Sequence, residues 1–129
     1  MKFILLSAIL FSITTFSYSQ SEKETPKITT QQAERVSKEQ FQKILENYQD
    51  IQIIDVRTAA EFSVGAIANA VNIDYMDDNF EAKIKALDKN KVTLIYCQAG
   101  GRSAKALQLF KKAGFKRTVE LQGGYSVWE

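Results

Sequence analysis

Cys97 is the single cysteine of the 129-residue chain, and its neighbours are what give it chemistry. It follows Val92-Thr93-Leu94-Ile95-Tyr96, a run of β-branched and aromatic residues of strand length, and precedes Gln98-Ala99-Gly100-Gly101, then Arg102 and Ser103. The order predicts a strand, a tight loop and a helix start. In that arrangement the sulfur lies in a cup of backbone N–H groups at a helix N-terminus, where unpaired donors and the helix dipole both favour an anion. Gly100 and Gly101 permit the positive φ angles that a ring of inward-pointing amides needs. Arg102 adds a permanent cation with a planar fork of donors. A cysteine so placed titrates at roughly 3.5–7.5 instead of about 8.5, so Cys97 is expected to be a thiolate nucleophile at neutral pH. The competing reading, a small buried hydrophobe at a strand end, leaves the glycines and the arginine unaccounted for.

The chain has no histidine. That excludes Cys-His and Ser-His-Asp couples and a zinc site of the usual Cys/His kind. Loop amides and Arg102 must therefore activate the sulfur, and no metal or organic cofactor is expected. A second group of charged residues, Asp55, Arg57 and Glu61, follows the apolar run Ile51–Val56. Ligands of open α/β sheets bind at such strand ends, which invites a catalytic role. The spacing fits an ion-paired brace better, with Arg57 and Glu61, four apart, pairing across the turn and the three residues holding the site.

The elements that position these residues alternate. Ser37 with Gln40 forms a capping box for an amphipathic helix over Ser37–Tyr48, in which Phe41, Ile44, Leu45 and Tyr48 share a face, after a short strand at Val36. Ile51–Val56 has the length of a buried parallel strand. Thr58 caps a short helix that carries Glu61 and stops at Gly65 in the manner of a left-handed C′ residue. A strand is expected within Ile67–Ile73, a helix over Tyr75–Leu87 with Asp78 as cap, and a helix over Ser103–Ala113 with Ala104, Leu107 and Phe110 inward and Gly114 closing it. A last strand around Val119–Leu121, a Gly123-Gly124 turn and a terminal helix with core aromatics complete the chain. Strands alternating with helices imply an α/β fold, an open parallel sheet with helices on both faces.

Composition sets the outer limits. With 45% hydrophobic and 25% charged residues, the chain has the make-up of one globular domain. Residues 1–19 differ in kind: Lys2, then a mainly apolar stretch, then the small residues Ser17 and Ser19, the pattern of a cleaved signal peptide. Export to the periplasm or beyond is expected, followed by a flexible leader over 20–33 and a domain over 34–129. Removing Lys2 leaves 16 basic against 15 acidic residues, a balance that points to no nucleic acid. A lone cysteine in an exported chain forms no internal disulfide, which adds weight to a reactive role.

Two separated blocks then fall into register with one family. Asp55-Val56-Arg57, Glu61-Phe62, Gly65, Ile67, Ala70 and Asn72 form the first. Tyr96-Cys97-x-x-Gly100-x-Arg102-Ser103, Gly114-Phe115, Leu121, Gly123-Gly124 and Trp128 form the second. From about Val36 to its end the chain resembles single-domain rhodanese-like sulfurtransferases. The resemblance implies an open parallel sheet of about five strands, with the cysteine loop at the strand ends. It also implies a reaction, in which the cysteine takes a sulfane sulfur from a donor such as thiosulfate or a persulfide and passes it to a thiol, a protein or cyanide. In this chain Cys97 would be the nucleophile and persulfide carrier. The amides of Gln98, Ala99, Gly100, Gly101 and Ser103 would cradle the substrate, and Arg102 would tighten the loop and supply charge. The protein would act as a monomer without a cofactor.

Phosphatases and arsenate reductases of similar scaffold place five residues between cysteine and arginine, and here only Gln98 to Gly101 intervene. The smaller cup favours sulfur over phosphate. Two departures from the family pattern matter. Ala66 stands where the family commonly has a histidine, and Gln98 and Ala99 are uncharged, which favours a persulfide over doubly charged thiosulfate as donor. A non-catalytic binding or regulatory module, and a thiol redox sensor that forms mixed disulfides, are the other functions this pocket could serve.

Overall fold

The computed structural model describes residues 30–129; the expected signal peptide and most of the expected leader lie outside them. Five strands form one sheet: β1 (Gln32–Val36), β2 (Gln52–Asp55), β3 (Val71–Asn72), β4 (Val92–Tyr96) and β5 (Arg117–Leu121). Their order is β1-β5-β4-β2-β3, and every pairing is parallel. The α/β class and the open parallel sheet are as expected. All five residues of β4 are buried, as a central strand covered on both faces should be.

The pleat separates two cores. Val92, Leu94 and Tyr96 of β4 point to one face, where they meet Val36, Phe41, Ile44, Val119 and Leu121. Ile95 and Cys97 point to the other, against Ile54, Val56, Phe80, Ala106, Leu107 and Phe110. Helices α1 (Lys38–Asn47) and α5 (Tyr125–Trp128) cover the first face; α3 (Phe80–Lys85) and α4 (Gly101–Lys112) cover the second. Helix α2 (Ala59–Val64) links β2 to the edge strand β3. Both expected capping boxes form, Ser37 with Gln40 and Thr58 with Glu61.

Several expectations are corrected. The leader does not run to residue 33, because Gln32 and Ala33 already belong to β1. Gln32 donates its N–H to the carbonyl of Lys116, 2.7 Å away, and pairs with Arg117. The helix expected over Tyr75–Leu87 shrinks to α3. The carboxylates of Asp74 and Asp77 accept from the backbone N–H groups of Met76 and Asn79, turns that compete with helix, so Asn79 and not Asp78 occupies the cap position. Helix α4 starts two residues before Ser103, and Ala106, not Ala104, joins Leu107 and Phe110 in the core. Gly65 has an extended backbone, φ 166°, and its small size serves a close approach: a Cβ there would lie 2.8 Å from the Tyr125 hydroxyl. The tail aromatics Tyr125 and Trp128 are half-buried lids on the α1 face, Trp128 packing edge-on against Phe41.

Candidate active site

Strand β4 delivers Cys97 to its carboxyl end, and the loop 98–100 folds the chain back over the sulfur. Gly100 takes the left-handed conformation, φ 100°, which starts α4 at Gly101 and turns the Gly100 amide inward. That amide donates to Cys97 Sγ at 3.0 Å, and the Ser103 hydroxyl lies 3.3 Å from the same atom. Cys97 is only 1% exposed. Burial alone would push its thiol up. The Ser103 hydroxyl and the amides of Ser103, Gly100 and Ala99 outweigh that penalty, so the pKa lies below that of an ordinary thiol.

The C-terminal segment locks the loop from outside. The Tyr125 and Ser126 amides donate to the carbonyls of Cys97 (2.8 Å) and Gln98 (3.0 Å). The approach is so close that a Cβ on Gly124, φ 60°, would sit 2.3 Å from the Cys97 carbonyl oxygen. With their carbonyls directed to the tail, the loop amides remain free to face the sulfur.

The expected single brace of Asp55, Arg57 and Glu61 proves to be two. Arg57, 2% exposed, grips Asp55 through Nε and Nη2 (2.7–3.1 Å), and donates to the Gly65 carbonyl (2.6 Å) and to Gln98 Oε1 (3.0 Å). Its guanidinium also stacks over the Tyr125 ring, 4.3 Å from the centroid. Arg57 thus ties β2, the end of α2, the cysteine loop and the tail together. Its pairing with Glu61 does not form, because Glu61 is taken by Arg102. Arg102 donates from both terminal nitrogens to the two Glu61 oxygens, at 2.7 and 2.8 Å. That fork lowers the Glu61 carboxyl to about 2, aided by Thr58 and opposed by burial. Arg102 therefore clamps α4 to α2 instead of reaching across the loop.

The structure adds Glu120, which the sequence left without a role, and gives a bracing role to Asn72 of the first block. Glu120 of β5, fully buried, receives the Ser103 hydroxyl at 2.5 Å and Arg35 Nε at 2.6 Å. Asn72 donates to the carbonyls of Asp55 and Arg57. The signal for Glu120 was present: Val119 and Leu121 point to one core, so the carboxylate between them faces the other and needs partners there. A cavity of about 300 Å³ opens beside the loop, lined by Arg57, Glu61, Val64, Gly65, Gln98, Tyr125 and Glu129; Cys97 does not line it. Among the described residues no group of three or more His, Cys, Asp or Glu side chains could hold a metal ion.

The chain is similar in sequence and fold to known proteins. The chain is 35% identical over 85 residues to thiosulfate sulfurtransferase 16, chloroplastic, of Arabidopsis thaliana, covering 58% of this chain and 71% of that protein. It is 36% identical over 84 residues to the probable adenylyltransferase/sulfurtransferase MoeZ of Mycobacterium tuberculosis, covering 65% of this chain but spanning only 21% of that longer protein. The crystal structure of a rhodanese-like domain protein from Staphylococcus aureus superposes with a TM-score of 0.66 at 29% identity, covering 74% of this chain and 91% of that one. Residues 37–129 match the rhodanese-like domain family. From α1 to its C-terminal residue, this chain belongs to the rhodanese-like domain family.

Proposed function

We propose that the protein is a sulfurtransferase that carries a sulfane sulfur on Cys97. The observation that carries this reading is the Gly100 amide 3.0 Å from Sγ, inside a loop whose carbonyls are directed to the tail. The Cys97 thiolate attacks the outer sulfur of a donor persulfide. The new Sγ–S bond forms as the donor's S–S bond breaks, and the donor leaves as a thiolate. An acceptor thiolate then attacks the outer sulfur of the Cys97 persulfide, and Sγ departs with the electron pair. The Gly100 amide stabilises that developing charge in a site closed to water. One transfer is thereby split into two easier displacements.

The donor follows from the charges. The two arginines that flank the loop are already matched: Arg102 by Glu61 and Arg57 by Asp55. A doubly charged donor such as thiosulfate meets no unmatched guanidinium in this pair, whereas a persulfide on a small thiol or a protein needs none. Intact-protein mass spectrometry after exposure to each donor tests the reading. The persulfide should add one cyanide-labile sulfur faster than thiosulfate does, and Cys97→Ser should take up none. A folded wild-type protein that gains no sulfur from either donor refutes it.

A further inference from the structure

The mechanism above leaves one buried acid unused. Glu120 is fully enclosed, yet it stands at the end of a line of atoms that begins at the sulfur. Sγ of Cys97 is 3.3 Å from Ser103 Oγ, and Oγ is 2.5 Å from Glu120 Oε1. The other carboxylate oxygen, Oε2, receives Arg35 Nε at 2.6 Å. Ser103 is itself fully buried, so no solvent competes along this line.

A hydroxyl has one hydrogen, and here two acceptors contest it. If Ser103 donates to an ionised Glu120, it offers only a lone pair to Cys97, which suits a thiol S–H. If Glu120 is protonated and donates to Ser103, the hydroxyl hydrogen is free for a thiolate. The two arrangements hold the same number of protons. We propose that Ser103 relays the Cys97 proton to Glu120, which serves as the buried proton acceptor in this histidine-free site. In the step the S–H bond breaks as a Ser103 O–H forms, the original Ser103 O–H breaks, and a Glu120 O–H forms. No oxidant or co-reactant is needed, and Ser103 ends donating to the sulfur it deprotonated.

The charged groups around this line are few. Arg35 reaches Glu120 from β1, where it also lies close to Gly100 of the loop. Arg102 enters from α4 and is held by Glu61 of α2. Asp55 and Arg57 of β2 neutralise each other, and Arg117 of β5 pairs with Glu34 of β1. Glu120 is the carboxylate that hydrogen-bonds Ser103, so it alone can exchange a proton with Cys97 along this path.

The proposal rests on reading Cys97 as the nucleophile, and its test is independent of sulfur transfer. The thiolate absorbance of the folded protein is followed against pH, with Cys97→Ser subtracted. A relay predicts two steps in the wild type. A first fraction of thiolate appears when one proton leaves the Cys97–Glu120 pair, and the remainder appears when the second leaves. Glu120→Gln should collapse this to one step, and Ser103→Ala, which removes the hydrogen-bonded link, should shrink the fraction of thiolate that appears in the first. Between the two steps, infrared spectroscopy should find a protonated carboxyl band that Glu120→Gln removes. A single wild-type step that Glu120→Gln merely displaces along the pH axis, or no carboxyl band in that window, overturns the relay. Ser103→Ala keeps the Arg35–Glu120 pair, and the absence of a carboxyl band is read on the wild type alone, so misfolding of Glu120→Gln does not protect the idea. Two thiolate steps with no sulfur uptake would refute the sulfurtransferase reading and leave the relay standing.

Discussion

At Cys97 burial and hydrogen bonding act in opposite directions, and the outcome is set by a few short contacts. The amides of Gly100, Ala99 and Ser103 and the Ser103 hydroxyl overcome the cost of enclosing a charge. Arg102 contributes less directly than its place in the sequence implies, since both of its terminal nitrogens are committed to Glu61. It is a positioning residue that fixes the first turn of α4, and with it the Ser103 and Gly100 donors. Removing either partner of a bidentate pair disables the same clamp. Arg102→Ala and Glu61→Ala should each slow sulfur transfer about tenfold, or about 1.4 kcal/mol of transition-state stabilisation, and the double variant should be no slower than either. Rates with a persulfide donor check this. Additive losses would show that Arg102 acts on the sulfur independently of Glu61.

Among the elements, the loop is held less by its own residues than by the segment that follows β5. The Gly123-Gly124 turn brings the Tyr125 and Ser126 amides onto the Cys97 and Gln98 carbonyls, and only a residue without Cβ allows that approach. Gly124→Ala places a methyl group 2.3 Å from the Cys97 carbonyl oxygen at a positive φ. Strain of this kind costs about 2 kcal/mol, so the melting temperature should fall by about 10 °C, with sulfur transfer lost in parallel. Differential scanning calorimetry gives the first quantity, and an unchanged melting temperature would mean that the tail is not docked on the loop. The sequence disclosed this architecture unevenly. The β4 strand, the capping boxes at Ser37 and Thr58 and the glycine-rich turn carry local signals that tertiary contacts only reinforce. Asx turns at Asp74 and Asp77 overrode a helical pattern, because short carboxylates near the chain compete for backbone N–H groups. The site was legible at Cys97 and Gly100, which lie three positions apart in one short loop. So was the pairing of Arg57 with Asp55, two positions away. The partners of Glu61 and Ser103 were not, because Glu61 and Arg102 are 41 positions apart and Ser103 and Glu120 are 17 apart, and only the sheet brings them together.

Over the whole molecule, the parallel sheet separates two apolar cores and collects paired charge at one end. Asp55–Arg57, Glu61–Arg102 and Arg35–Glu120 all sit near the carboxyl ends of the strands, around the cysteine. Stability therefore depends on pH through the site itself. For Glu61 the sign is fixed by its shift: the folded carboxyl titrates at about 2, below the ordinary 4.5, so its contribution is complete above 4.5 and lost as pH falls towards 2. A shift of that size corresponds to about 3 kcal/mol, but Glu61 is 33% exposed, and solvent screening reduces the expected effect to about 1 kcal/mol. Glu61→Gln isolates this charge, because glutamine still completes the capping box with Thr58. The variant should melt about 5 °C below the wild type near neutral pH. That gap should close as the pH is lowered from the ordinary carboxyl range towards 2, because the wild type loses its charge there and the variant has none to lose. Thermal melts of both proteins across this range check the prediction. A gap that stays constant into acid would show that the difference between the two proteins does not come from the Glu61 charge.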